Sequence, residues 1–192
     1  MGVRIGAGAA FSNDRVMAAV DLVERGRLNY LVLECLAERT LAMDHVERLR
    51  DPSRGYNTHL RRRLQAVLPQ AKANGTRIVT NMGSANPAAA AHEAARVARE
   101  LGVSIKIALV EGDDVRRLMT QDVQLANAGV TLAEYGKPYV SANAYIGLDA
   151  LLPALETGAD LIIAGRVADS SLFLAPAAYE LGWKWNDWDK IA

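Results

Sequence analysis

Short apolar runs alternate with amphipathic stretches along this chain, and each apolar run is followed by polar or small residues. The runs are rich in Val, Ile and Leu and too short for helices, so they predict buried β-strands. The stretches between them predict helices, because apolar residues recur there at every third or fourth position. This alternation is typical of a parallel α/β sheet. The predicted strands are Val3–Gly8, Tyr30–Leu33, Arg77–Thr80, Ile105–Val110, Tyr139–Ala142 and Asp160–Ala164.

The pattern predicts an α/β fold with one open, doubly wound, mostly parallel sheet that carries helices on both faces. A partial β/α barrel is the alternative, because a closed barrel has eight strands and usually about 250 residues. Residues 121–136 are compatible with a helix end, a short strand at Val130–Leu132 or a loop. The predicted helices are Asn13–Arg25, Glu38–Arg48, Thr58–Asn74, Pro87–Leu101, one capped by Asp113 or Asp114, Leu148–Glu156 and Ser170–Leu181.

Composition narrows the class of protein. The 192 residues are 51% hydrophobic, which suits a single α/β domain spanning residues 1–192. The 22 basic and 22 acidic residues cancel, so we expect no nucleic-acid partner and no membrane association. The cluster Arg61–Arg63 predicts a solvated helix face. One cysteine, short apolar runs and the absence of a leader-type start favour the cytoplasm.

The loop after the first predicted strand offers two interpretations. Gly6 and Gly8 resemble the start of a dinucleotide-binding turn, but Phe11 stands where a further small residue belongs. Small residues that only permit a tight turn are the preferred interpretation, and a nucleotide-binding oxidoreductase stays an alternative. The segment Ser12, Asn13 and Arg15 is a candidate anion cradle, because free backbone N–H groups at a helix start bind anions.

Candidate acid–base groups follow two other strands. Glu34 ends the second strand, and a carboxylate at a partly buried rim can act as a general base. Structural bonding of Glu34 to the backbone is an equal alternative. Glu111 follows the fourth strand in an acidic loop, where Asp113 and Asp114 are more simply helix caps. Cys35 is expected to face the core.

The remaining candidates bind rather than move protons. Arg166 directly follows the last strand, where a guanidinium grips a carboxylate or phosphate, and pairing with Asp169 is the alternative. His45, His59 and His92 show no metal-ligand spacing, so no metal is predicted, and surface positions are expected for His45 and His59. The predicted substrate-binding residues are Ser12, Asn13, Arg15, Asn81, Ser84, Asn86, Asn143, Asp169 and Ser170, beside the catalytic candidates Glu34, Glu111 and Arg166.

Several of these segments resemble the N-terminal part of the acyclic terpene utilisation (AtuA-like) family. The matching strings are residues 5–15, 30–40, 78–87, 143–147 and 165–176. The resemblance implies catabolism of acyclic terpenoids through acyl-CoA intermediates, so CoA would enter as part of the substrate. No cofactor is assigned from the sequence. Members are generally longer, so it also implies that the family architecture continues in a longer chain or a second polypeptide.

Taken together, these observations predict an enzyme of carboxylate or acyl-CoA catabolism, a lyase, hydratase or hydrolase. Its small-molecule site would lie at the carboxyl ends of the strands. A nucleotide-binding oxidoreductase and a non-catalytic subunit that completes a partner's active site are the alternatives. An oligomer, or a complex with the second polypeptide, is expected.

Overall fold

A central parallel sheet organises the protein in the computed structural model, which describes residues 2–191. Five strands form it in the order β1-β2-β3-β7-β4, all parallel, and β5 pairs with β6 in a small antiparallel ribbon. The strands are β1 (Ile5–Ala9), β2 (Tyr30–Leu33), β3 (Arg77–Thr80), β4 (Ile107–Val110), β5 (Gln124–Leu125), β6 (Val130–Thr131) and β7 (Leu161–Ala164).

Helices cover both faces of the sheet. Side chains alternate along each strand, so Leu31 and Leu33 join one core while Tyr30 and Val32 join the other. The first core is shared with α1, α3 and α4, and the second with α6 and α7. The helices are α1 (Val16–Arg25), α2 (Glu38–Arg50), α3 (Leu60–Asn74), α4 (Pro87–Glu100), α5 (Leu132–Tyr135), α6 (Leu148–Glu156), α7 (Ser171–Leu181) and α8 (Trp188–Ile191).

The predicted open, doubly wound sheet is confirmed, and residues 2–191 form no closed barrel. The predicted strand Tyr139–Ala142 is wrong, because these residues pair with no strand of the sheet, neither between β4 and β7, which pair directly, nor at the edge strands β1 and β4. The segment instead crosses the carboxyl edge of the sheet, where the carbonyl of Ala142 accepts a hydrogen bond from the Val115 N–H.

The helix predicted after Asp113 and Asp114 is also wrong, because only a short 3-10 turn forms at Arg116–Leu118. The Asp114 carboxylate accepts from the backbone N–H and the guanidinium of Arg116, which closes a local turn in place of a helix start. For residues 121–136 the sequence was compatible with a helix end, a short strand or a loop. The strand alternative is correct in part, since Val130 and Thr131 form β6.

The central strands create a crevice at the carboxyl edge. After β3 the chain enters α4 on one face, whereas after the neighbouring β7 it enters α7 on the opposite face. Ligands of doubly wound proteins bind where connections diverge in this way. The two loops meet closely there, since the Gly83 N–H donates to the Ala164 carbonyl at 3.1 Å. A Cβ on Gly83 would lie 2.5 Å from that oxygen, so this position requires glycine.

None of the helices within residues 2–191 has the length and apolar character needed to span a membrane.

Candidate functional site

Glu34 and Asn81 meet across the carboxyl ends of β2 and β3. Asn81 Nδ2 donates to Glu34 Oε1 at 2.9 Å, and the Leu36 N–H donates to the same oxygen at 2.9 Å. The other end of the amide, Asn81 Oδ1, accepts from the Cys35 N–H at 2.7 Å. The Asn81 side chain is fully buried and bonded at both ends, so it fixes the orientation of the Glu34 carboxylate.

The half-buried Glu34 lines a cleft of about 820 Å³, which we call the Glu34 cleft. Both side-chain hydrogen bonds of Glu34 within the described chain fall on Oε1, so Oε2 keeps its lone pairs for a ligand. Apolar and acidic groups share the walls. The lining includes Phe11, Leu36 and Met43, the acids Glu34, Glu38, Asp44, Glu47 and Asp169, the base Arg39, and the polar Ser12, Asn13, Thr40, Asn57 and Thr58.

Two acids of the Glu34 cleft are perturbed in opposite directions. The Tyr145 hydroxyl donates to Glu38, and this bond lowers the pKa of that carboxyl. Burial raises the pKa of Asp44, against a smaller lowering by the nearby Ser84 hydroxyl. Ser84 Oγ nevertheless makes no hydrogen bond at normal distance within the described chain.

Arg166 lies at the carboxyl edge of the sheet two residues after β7, where its side chain is only 1% exposed. Its guanidinium donates to the carbonyls of Leu36 and Val167, at 2.8 and 2.6 Å, and to the Asp169 carboxylate. Its face packs on the Tyr145 ring, with the guanidinium carbon 4.4 Å from the ring centroid. Arg166 therefore links the loops that carry Leu36, Tyr145 and Asp169. Its contact with Asp169 is the structural pair that the sequence offered as the alternative to ligand binding.

A second polar chain runs through Asp113, Asn143 and His45. Asn143 Nδ2 donates to Asp113 Oδ2 at 2.8 Å, and the Arg166 backbone N–H donates to the same oxygen at 2.9 Å. Asn143 Oδ1 is then an acceptor for His45 Nε2 at 3.0 Å. This arrangement assigns the proton of neutral His45 to Nε2 and leaves Nδ1, which is buried without a partner, with a free lone pair.

The surface position expected for His45 is wrong, because its ring is 1% exposed. Burial lowers the pKa of His45, and the Arg116 and Arg48 charges act in the same direction, whereas the hydrogen bond to Asn143 and the charge of Asp114 oppose them. His45 lies on α2 about one helical turn after the buried Leu41, so helical periodicity places both side chains on the same face. That periodicity was the one signal for its burial, and nothing local in the sequence pointed to Asn143 as its partner.

Three other predicted residues line a different cleft of about 480 Å³, which we call the arginine cleft. They are Ser84, Glu111 and Asn143. The two clefts share no lining residue: α2 contributes Arg48 to this cleft, and Met43, Asp44 and Glu47 to the Glu34 cleft. Its charged lining is Arg48, Arg116, Arg117, Glu111, Asp113 and Asp114. The predicted rim is therefore divided between two clefts.

The first loop is held by internal bonds. Asp14 accepts from the backbone N–H groups of Ala10 and Arg15, so a carboxylate already occupies the place of an anion at the start of α1. Ser12 Oγ accepts from Asn57, and Asn13 Oδ1 contacts His59 Nε2 at 2.9 Å. Arg15 is exposed.

Gly6 and Gly8 make room for packing. A Cβ on Gly6 would lie 2.6 Å from Leu28, and one on Gly8 would lie 2.8 Å from Leu31. Both glycines belong to β1 itself, which favours the interpretation that they permit close packing. The solvated face expected at Arg61–Arg63 is wrong for Arg63, which is fully buried and donates to the carbonyls of Ser12 and Asp14.

The last two predicted residues start helices. Asn86 caps α4 by accepting from the Ala89 N–H, and its amide donates to the carbonyls of Pro52 and Arg54. Ser170 is exposed at the start of α7 and makes no side-chain capping bond.

Cys35 faces the core as expected, and burial raises its pKa to about 12. Among residues 2–191, no three His, Cys, Asp or Glu side chains are grouped to hold a metal ion.

Comparison with known proteins identifies a family but no individual relative. No curated protein and no solved structure matches the chain. The family model described as acyclic terpene utilisation family protein AtuA matches residues 3–192, which includes every loop of the rim described above. The chain therefore belongs to the acyclic terpene utilisation family AtuA.

Proposed function

We propose that this chain is an enzyme of carboxylate or acyl-thioester catabolism, of the lyase, hydratase or hydrolase type, in which Glu34 moves a proton. Membership of a terpene utilisation family supports a role in the catabolism of acyclic terpenes. The observation that carries the finer proposal is the Glu34 carboxylate, which lines a large cleft and has one oxygen held by Asn81 and Leu36 and the other without a hydrogen bond within the described chain. A fixed carboxylate is the arrangement that general base catalysis requires.

The reaction step follows from this geometry. The two N–H donors occupy Oε1, so Oε2 can accept a proton from a carbon next to a carbonyl or from a water molecule. Because Asn81 is locked by its bond with Cys35, Glu34 is held in position before substrate binds. Such preorganisation lowers the barrier without reorganisation during the reaction.

The walls of the Glu34 cleft suit a hydrocarbon chain. Phe11 and Met43 are each 57% exposed there, and apolar side chains this exposed gain from contact with an apolar ligand. An acyclic terpenoid acyl group supplies such a ligand. The polar Ser12 and Asn13 on the same wall are the proposed contacts for its carbonyl end.

In this proposal, Arg166 and Asp169 stabilise the loop beside the Glu34 cleft. The guanidinium is engaged with two backbone carbonyls and Asp169, so it orders the rim loop that carries Leu36. It acts as a positioning residue for the Glu34 cleft. Glu111, which lies in the arginine cleft, is the weaker candidate for proton transfer because no hydrogen bond within the described chain fixes its carboxylate.

The experiment is proton exchange. The protein is incubated in D2O with CoA thioesters of branched, unsaturated acyclic acids, and incorporation of deuterium next to the carbonyl is followed by mass spectrometry. Glu34→Gln should lower the exchange rate by about 10²-fold or more, since general bases contribute about 10²–10⁴-fold. Glu24→Gln removes an exposed carboxylate from α1 and serves as the control. Equal exchange in the wild type and Glu34→Gln would refute the assignment.

A further inference from the structure

Ser84 stands out in the crevice for its backbone and its hydroxyl. It has a φ of +49°, a left-handed conformation that is rare for residues other than glycine and that clusters at functional sites. Its side chain is 1% exposed, and Oγ has no hydrogen-bonding partner at normal distance within the described chain, although it lies near enough to the Asp44 carboxyl to lower the pKa of that group. A buried hydroxyl without a partner is unfavourable unless a ligand supplies one. Ser84 lines the arginine cleft, so a ligand there can do so.

The charges of the arginine cleft are not all equally available. Asp113 accepts from Asn143 and from the Arg166 backbone, and Asp114 is paired with Arg116. Arg48 donates to the Ala85 carbonyl but has no carboxylate within 4.0 Å in the described chain. Arg48 is therefore a cation beside Ser84 whose charge is not neutralised by an ion pair.

We propose that Ser84 Oγ and the Arg48 guanidinium together bind one oxyanion, a carboxylate or a phosphate group of a ligand, in the arginine cleft. A hydroxyl and a guanidinium both donate hydrogen bonds, and charged acceptors make the strongest ones. The start of α4 lies at the same place, since its first residue, Pro87, lines the cleft, and the positive end of a helix dipole favours an anion.

This site is distinct from the Glu34 cleft, and it gives the proposed function a second subsite for the charged part of a substrate. The Glu34 cleft has five carboxylates and one arginine, which disfavours an anionic group there. The arginine cleft has three arginines against three carboxylates, so its charges are balanced. The proposal rests on binding alone, so it can be tested whether or not Glu34 proves to be a base.

The experiment measures binding of inorganic phosphate and of acetate to the full chain by isothermal titration at constant ionic strength. Ser84→Gly removes the hydroxyl while tolerating the positive φ, and Arg48→Gln removes the guanidinium. Each should weaken binding of the preferred anion by about tenfold or more. The control is Arg50→Gln, which removes an exposed arginine near the end of the same helix and should change binding less than about twofold.

Comparing the affinities for phosphate and acetate shows which group of a ligand the site prefers. Tighter binding of phosphate assigns the site to a phosphoryl group, and tighter binding of acetate assigns it to a carboxylate. Absence of binding by both anions would overturn the proposal. So would equal weakening by Arg48→Gln and Arg50→Gln, which would indicate a general effect of surface charge. Circular dichroism spectra that match the wild type confirm that the variants are folded.

Discussion

Asn81 donates its amide to Glu34 Oε1 at 2.9 Å while its own carbonyl accepts from the Cys35 N–H, so one buried side chain joins the carboxyl ends of β2 and β3. Asn81→Asp would replace the donor by a second carboxylate beside Glu34. Because like charges disfavour joint ionisation, proton exchange should reach half its maximum at a higher pH than in the wild type. The pH–rate profile of deuterium exchange measures this.

A control separates this effect from the added charge alone. Asn127→Asp adds the same charge at an exposed position in the loop between β5 and β6. Its profile should coincide with that of the wild type. A profile of Asn81→Asp that also coincides with the wild type would show that Asn81 does not position the catalytic group.

His45 should make the stability of the fold depend on pH. Burial lowers its pKa below the unfolded value of 6.5, so the unfolded chain takes up the proton first as the pH falls. The stabilisation is fully present above about pH 6.5 and is lost as the pH falls from there towards the folded pKa. Urea unfolding at a series of pH values measures this loss directly.

Two variants assign that loss to His45. His45→Gln should flatten the dependence in this pH range, because glutamine does not titrate there. His92→Gln removes an exposed histidine on α4 and should leave the dependence unchanged. If His45→Gln showed the same slope as the wild type, the titrating group would lie elsewhere.

Most of the fold and of the site that could be predicted from the sequence followed from the periodicity of the strands and from the residues at their ends. The apolar runs at Tyr30–Leu33 and Arg77–Thr80 are buried on both faces, and parallel pairing then brings Glu34 and Asn81 to one edge. These two positions were predictable because they follow directly from strand ends. The run at Tyr139–Ala142 has the same local pattern, but it pairs with no strand of the sheet. The local pattern of a run does not show whether it finds a partner strand.

The partners of the site were harder to predict than its members. His45 and Asn143 lie 98 positions apart, and their bond depends on the path of residues 111–147 across the sheet edge. The division of the rim into two clefts likewise depends on packing, since loops after β3 and β4 line one cleft and loops after β1 and β2 line the other. Sequence spacing gives neither, because both arise from how helices and loops pack after the sheet has formed.

The close approach of the β3 and β7 loops predicts an unusual sensitivity at Gly83. A Cβ there would lie 2.5 Å from the Ala164 carbonyl, whose backbone position is fixed by the sheet. Gly83→Ala should lower the free energy of unfolding by about 1–3 kcal/mol or more. Gly6→Ala is the matched control, because its Cβ would meet the flexible end of Leu28 and should be better tolerated. Urea midpoints compare the two.

Cys35 should be inert while the protein is folded. Burial raises the pKa of its thiol to about 12, so the thiolate that reacts with disulfide reagents is almost absent at neutral pH. Labelling with Ellman's reagent should therefore be slow in buffer and rapid and stoichiometric in guanidinium chloride. Rapid labelling of the native protein would show that the loop after β2 opens and that Glu34 is less firmly held than its hydrogen bonds indicate.

Arg166 provides the sharpest distinction between a structural and a substrate-binding role. Arg166→Ala removes the donors to the carbonyls of Leu36 and Val167 and leaves a cavity beside Tyr145. Charged hydrogen bonds of this kind contribute about 1.5–3 kcal/mol each, so the loss of two should lower the free energy of unfolding by about 3–6 kcal/mol. Arg99→Ala on the exposed end of α4 should stay within about 0.5 kcal/mol of the wild type.

Arg166→Lys refines the test, because a lysine keeps the charge but has neither the planar fork nor the stacking face. It should recover only part of the stability and of the deuterium exchange, and the two should fall together if Arg166 acts by holding the rim. An Arg166→Ala variant with wild-type urea midpoint and no exchange would contradict that role. The guanidinium would then have to leave its carbonyl partners and contact the substrate itself.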